Sequence, residues 1–137
     1  MLEHWERWEP IRSLSSKYYI DSISDGIREF RIVLSDSCDE KKKIHVVFEN
    51  SVDAYRSTDE SFRQSTVADL GERYGNEFYG DWTFFKVTNS TYISWLSEQS
   101  YGIAESLSFI HFSFVAANSI LDVVTTYEPK IELIAPL

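Results

Sequence analysis

The sequence predicts an α+β domain: a largely antiparallel sheet of five to six strands with two helices packed on one side. Three observations predict it. Apolar and polar residues alternate at a two-residue period over most of the chain, which marks half-buried strands. The period lengthens to helical spacing in two stretches, 57–74 and 89–102. Of the 137 residues, 43% are hydrophobic and 15% aromatic, enough to pack one core, so 1–137 reads as a single domain.

The first strand is expected in "KYYIDSIS" (17–24), with Tyr18 and Ile20 on one face. Asp25-Gly26 is a two-residue hairpin signal. "IREFRIVL" (27–34) follows with Phe30, Ile32 and Leu34 on one face, then a charged loop (35–43). "KIHVVFE" (43–49) turns Ile44, Val46 and Phe48 to the core, completing a three-strand meander. The pattern stops in "ENSVDAYR" (49–56), which reads as a connector. Ser57-x-x-Glu60 matches a capping box, so a helix is expected over 57–74, buried through Phe62, Val67, Leu70 and Tyr74. Gly75 closes it. A loop (76–82) feeds a short strand, Thr83 to Val87. Asn89 or Ser90 caps a second helix, whose stripe is Tyr92, Ile93 and Leu96 and which Gly102 ends. "SLSFIHFSFVA" (106–116) is apolar on both faces, as a central strand is. "SILDVVTTY" (119–127) pairs back on it, and "KIELI" (130–134) adds an edge strand.

No apolar run approaches the roughly 20 residues that span a bilayer. "MLEHWERWEP" is charged, so no secretory signal is expected there. Its Leu2, Trp5 and Trp8 are spaced like a helical turn, either docked on the domain's own sheet or offered to a partner. The single cysteine, Cys38, forms no internal disulfide, suits a reducing cytoplasmic setting and reads as a loop thiol. Net charge is −9 and lopsided: residues 1–43 carry 8 Lys/Arg against 9 Asp/Glu, and residues 44–137 carry 5 against 13. Such a field repels nucleic acid and anionic membranes and attracts basic partners.

Chemistry-bearing patterns are sparse. The three histidines lack metal-ligand spacing, no glycine-rich loop opens a helix, and no nucleophile elbow occurs. No metal, cofactor or catalytic residue is therefore expected. Tyr18, Tyr19, Phe30, Trp82, Phe84 and Phe85 could stack bases, but the chain lacks the positive groove that such sites need. Core packing accounts for them better. His111 and Asp122 fall on adjacent strands. A tight turn at Ala117-Asn118 sets Asp122 opposite Ser113 and His111 opposite Val124; a longer one aligns the pair. They form a structural ion pair, or Asp122 simply faces solvent, or the two edge a cleft in a small enzyme or ligand-binding domain.

Three stretches, "VFENSVDAYRSTDES", "FFKVTNSTYISWLSEQSYG" and "HFSFVAANSILDVVTTYEP", together resemble a family of small bacterial proteins encoded near polymorphic toxins. Some members look like immunity proteins of contact-dependent growth inhibition systems. The resemblance runs over about residues 10–134 and rests on structural words. It implies an α+β cytoplasmic protein that is not an enzyme and that binds one cognate toxin domain, commonly a nuclease. Charge fits that reading, because a nuclease needs a basic surface that an acidic inhibitor complements. Between Glu49 and Asp81 the chain holds eight acidic residues and three arginines. The expected partner-binding residues are Glu49, Asp53, Tyr55, Arg56, Glu72, Glu77, Asp81 and Trp82. Tyr55 is expected to fold back onto the domain and Arg56 to point outward.

Overall fold

A computed structural model describes residues 2–134. In chain order its strands are β1 (His4–Arg7), β2 (Tyr18–Asp25), β3 (Phe30–Asp36), β4 (Asp39–Phe48), β5 (Ala54–Asp59), β6 (Phe84–Thr88), β7 (Ile110–Val115), β8 (Ser119–Thr125) and β9 (Lys130–Ile134). The helices are α1 (Gln64–Tyr74), α2 (Asn76–Gly80) and α3 (Thr91–Gln99). The fold is α+β, and every strand pairing among the described residues is antiparallel. One sheet has five strands in the order β1-β6-β7-β8-β5; the second has four in the order β2-β3-β4-β9.

Alternation explains why the sheets stack. One face of the five-stranded sheet turns Phe84, Phe112, Phe114, Leu121 and Val123 inward, all fully buried. The four-stranded sheet answers with Phe30, Ile32, Leu34, Val46 and Phe48, also fully buried. Burying each such side chain stabilises the fold by about 1.5–3 kcal/mol before entropy is counted. The other face of the five-stranded sheet carries Trp5, Phe85, Val87, Val115 and Ile120, and Leu70 of α1 packs into that cluster. Phe78 and Tyr79 of α2 join it, and Tyr92 of α3 meets His111 on the same face. The helices thus cover one side of one sheet, and the molecule has three layers.

Six local readings differ from the structure, among them the loop expected over 76–82, which contains α2. The stretch expected as a connector contains β5, which pairs with β8 from Ala54–Val124 to Asp59–Ser119. That pairing satisfies an edge of β8 that would otherwise leave a row of buried polar groups without partners. It holds Ser57 in extended backbone, so no capping box forms there. Asp59 instead caps a 3-10 turn, Glu60–Phe62, by accepting the Ser61 N–H, and α1 begins only at Gln64. The N-terminal "HWER" is a strand because its backbone pairs with β6, and this buries Trp5 to 3% exposure. The β2–β3 turn takes four residues, 26–29, with Gly26 N–H on the Glu29 carbonyl. Lastly, much of the expected charged loop 35–43 is strand: Lys41–Lys43 extend β4, leaving Ser37 and the exposed Cys38 as the turn.

Candidate functional site

The β7–β8 register is the tight one, with Ser113 opposite Asp122 and His111 opposite Val124. His111 and Asp122 are therefore diagonal neighbours on one face, within reach of a long side chain. His111 Nε2 lies 2.7 Å from Asp122 Oδ1. The other ring nitrogen, Nδ1, lies 2.7 Å from Ser90 Oγ. Ser90 also caps α3, its hydroxyl oxygen accepting the Ile93 N–H. With Nε2–H donating to the carboxylate, Nδ1 accepts the Ser90 hydroxyl proton, and every group in the chain of bonds is satisfied.

The second oxygen of Asp122 is shared by two guanidiniums. The β5–β8 register sets Arg56 directly opposite, and its Nε donates at 2.8 Å. Arg63, at the start of α1, donates from Nη1 at 2.8 Å. His111 is 1% exposed and Asp122 0%. Burial alone would push the Asp122 carboxyl up. The His111 hydrogen bond and the charges of Arg63 and Arg56 outweigh it and hold the group well below the usual carboxylate range. One buried carboxylate thereby ties β5, β7, β8 and the starts of α1 and α3 together.

The chain matches no protein-family model, no curated protein and no solved structure. What this site can do rests on its own geometry. The depressions beside the network are lined by Tyr55, Arg56, Thr91, Tyr92 and Trp95, and by Val87, Thr88, Asn89, Ser90, Ile93, Ser94 and Phe109. Neither is lined by His111 or Asp122. The pair acts as a brace beneath the surface. Among the described residues, no group of three His, Cys, Asp or Glu is placed to hold a metal ion, and no helix is long and apolar enough to cross a membrane.

The sequence-predicted partner residues divide into two groups. Glu49 and the segment holding Asp53 lie near the Val124 end of β8, where Asp53 N–H meets the Val124 carbonyl. Glu72, Glu77, Asp81 and Trp82 belong to α1, α2 and the turn after α2. Asp81, with Glu60, lies close enough to Lys17 to act on its charge, while Glu72 and Glu77 lie toward β1, where Trp5 N–H donates to the Tyr74 hydroxyl and Arg7 to the Glu77 carbonyl. All these carboxylates are exposed; Trp82 is half-buried, its indole N–H on the Trp8 carbonyl. Tyr55 does fold back, onto Phe30 of the other sheet at 4.8 Å. Arg56 folds back as well, onto Asp122 and over the Tyr92 ring at 4.3 Å, yet its side chain stays 42% exposed.

Three contributors were not legible as such. Ser90 was readable as a cap but not as a partner of His111. Arg63 has no local signal, because its carboxylate lies 59 residues away. Lys17 is similar. Its Nζ donates to the carbonyls of Tyr79 (2.6 Å), Trp82 (3.0 Å) and Val115, pinning the end of α2 to the end of β7, the middle strand of the sheet.

Proposed function

We propose that this protein binds and neutralises a cognate bacterial toxin domain, a basic nuclease, through the acidic end formed by α1, α2 and the turn that follows. The observation that carries this reading is a surplus of unpaired surface carboxylate. Glu60, Glu72, Glu77 and Asp81 are exposed, and none makes an ion pair within contact distance among the described residues. The cations that could have matched them are engaged elsewhere. Arg63 is on Asp122, Arg73 on Asp69, Lys86 on Glu128, and Arg7 and Lys17 are on backbone carbonyls. Carboxylates left unmatched at one end create a field that a basic surface relieves, which steers association. Half-buried Trp82, stacked with Arg7 at 5.9 Å, gives that end an aromatic anchor. The resemblance of the three sequence stretches to immunity proteins supports the same class of partner.

The competing reading, an enzyme or ligand site opening on His111 and Asp122, needs solvent to reach that pair, and both are sealed. The test is co-expression with the C-terminal domain of a toxin encoded beside this gene, followed by purification of the pair. Relief of growth arrest together with a stable one-to-one complex is the expected result. Unrelieved arrest, or a nuclease domain that does not bind, overturns the reading.

A further inference from the structure

A groove of about 520 Å³ lies between β5 and α3, lined by Tyr55, Arg56, Thr91, Tyr92 and Trp95. That volume falls within the roughly 300–1,000 Å³ of small-ligand sites. Its composition is unlike the rest of this acidic surface: three aromatic residues, of which Tyr92 and Trp95 share a face with Arg56, one guanidinium and no carboxylate. We propose that it binds a flat ring bearing an oxyanion, with Arg56 taking the anionic group and Trp95 the ring.

The charge count beneath the groove supports the first half. Asp122 faces two guanidiniums, Arg56 and Arg63, so the cluster holds one positive charge more than its carboxylate can match. Arg63 is the sequestered partner, its side chain 13% exposed. Arg56 is the presented one. Only its Nε is hydrogen-bonded among the described residues, which leaves both terminal nitrogens for a second oxyanion. Asp122 at one edge and the Tyr92 ring at 4.3 Å beneath hold the fork in a fixed plane before any ligand arrives. Neighbouring acids do not fill the place. Glu3 is taken by the Thr91 N–H and hydroxyl and by Trp5, and Asp53, on the rim of the next depression, makes no ion pair within contact distance among the described residues.

The rings support the second half. Trp95 is 53% exposed and lies 6.2 Å from Tyr92 with the planes 31° apart, so its indole stands beside the stacked guanidinium. Tyr55 lines the β5 side of the groove, its ring turned to Phe30 on the other face of the strand. Rings that size left in water gain from covering by another flat group.

The site is independent of the acidic end assigned to a protein partner. It is tested on the whole chain in ¹⁵N NMR at low salt by following the Trp95 indole resonance and, so that Trp95→Ala can be read too, the backbone amides of Thr91 and Tyr92. Phenylacetate, uridine monophosphate and inorganic phosphate are added separately at millimolar concentration. Either ring-bearing probe should shift Trp95, and the tighter one identifies the source as an aromatic carboxylate or a nucleotide. Arg56→Gln and Trp95→Ala should each weaken binding about tenfold. Because Arg56→Gln disturbs Asp122, Arg56→Lys is run beside it; it keeps the charge, loses the planar fork and should still weaken binding. Inorganic phosphate binding as tightly as the ring-bearing probes overturns the ring's part in the site. No shift with any probe, or undiminished binding in both Arg56→Lys and Trp95→Ala with melting temperatures unchanged, overturns the site.

Discussion

At the residue scale, the chain spends its buried charge on holding parts together. Asp122 accepts from His111, Arg56 and Arg63, and each comes from a different element. Removing one member of such a buried set strands the others without their counter-charge. Asp122→Asn should therefore lower stability by about 3–5 kcal/mol, read from urea unfolding. Its pH dependence has a fixed sign. The folded carboxyl is held below its ordinary value, so the unfolded chain binds the extra proton first. The stabilisation is fully present above the ordinary carboxylate range and drains away as pH falls below it. Asp122→Asn should unfold with a flatter acid limb than the parent; an identical acid limb would show that the brace carries no such linkage. Lys17 gives the complementary alkaline case. Burial lowers its ammonium from 10.5 to about 8, partly offset by Glu60 and Asp81. Its contribution to stability therefore rises as pH climbs from about 8 to 10.5, where the unfolded chain holds more protons. Lys17→Met should remove that rise, as followed by denaturant midpoints across the same window.

At the element scale, legibility followed the strength of the apolar pattern. β3, β4 and β7 were readable because Phe30, Ile32, Leu34, Val46 and Phe48, and Phe112 with Phe114, keep a strict face. β5 was not, because "AYRSTD" offers water-compatible side chains on both faces and owes its strand backbone to β8. The same pairing defeated the capping box at Ser57, a local signal overruled by six residues of ladder. β1 looked helical because Trp5 and Trp8 are three apart, and only a partner strand distant in sequence could say otherwise. The split into two sheets was hidden for a like reason, since alternation tells which face is apolar and not which sheet answers it. Of the site, the diagonal His111–Asp122 pair was within reach of register arithmetic, while the two arginines and Ser90 were long-range arrivals. Ser90 shows how one residue serves two elements. Ser90→Ala removes the α3 cap and leaves His111 Nδ1 without its donor, which should cost about 2–3 kcal/mol. Hydrogen exchange should quicken through α3 while α1 stays protected, and Ser90→Thr should restore most of both. Uniform loosening of α1 and α3 would mean that Ser90 does not act as a local clasp.

At the scale of the whole molecule, the network at Asp122 and the clamp at Lys17 engage three of the thirteen Lys/Arg, against 22 Asp/Glu in the chain. A net charge of −9 is uneven in space as well as in sequence. Glu72 and Glu77 lie toward β1 and Asp81 near Lys17, whereas Glu49 and Asp53 lie by the Ala54 start of β5. Four strand spacings separate the β1 edge from β5 by about 19 Å, roughly twice the Debye length at 0.1 M salt. A partner feels them separately at ordinary ionic strength. Reversing Glu72, Glu77 and Asp81 to Lys should therefore slow association with a basic nuclease domain by about tenfold or more at low salt. The loss should shrink as salt rises, while dissociation changes little. Reversing Glu49 and Asp53 should have a much smaller effect on the same rate. Stopped-flow association at several salt concentrations separates the two variants. Equal slowing in both would mean that only the overall charge matters. A greater effect from Glu49 and Asp53 would move the docking face to the groove end of β5, beside Arg56.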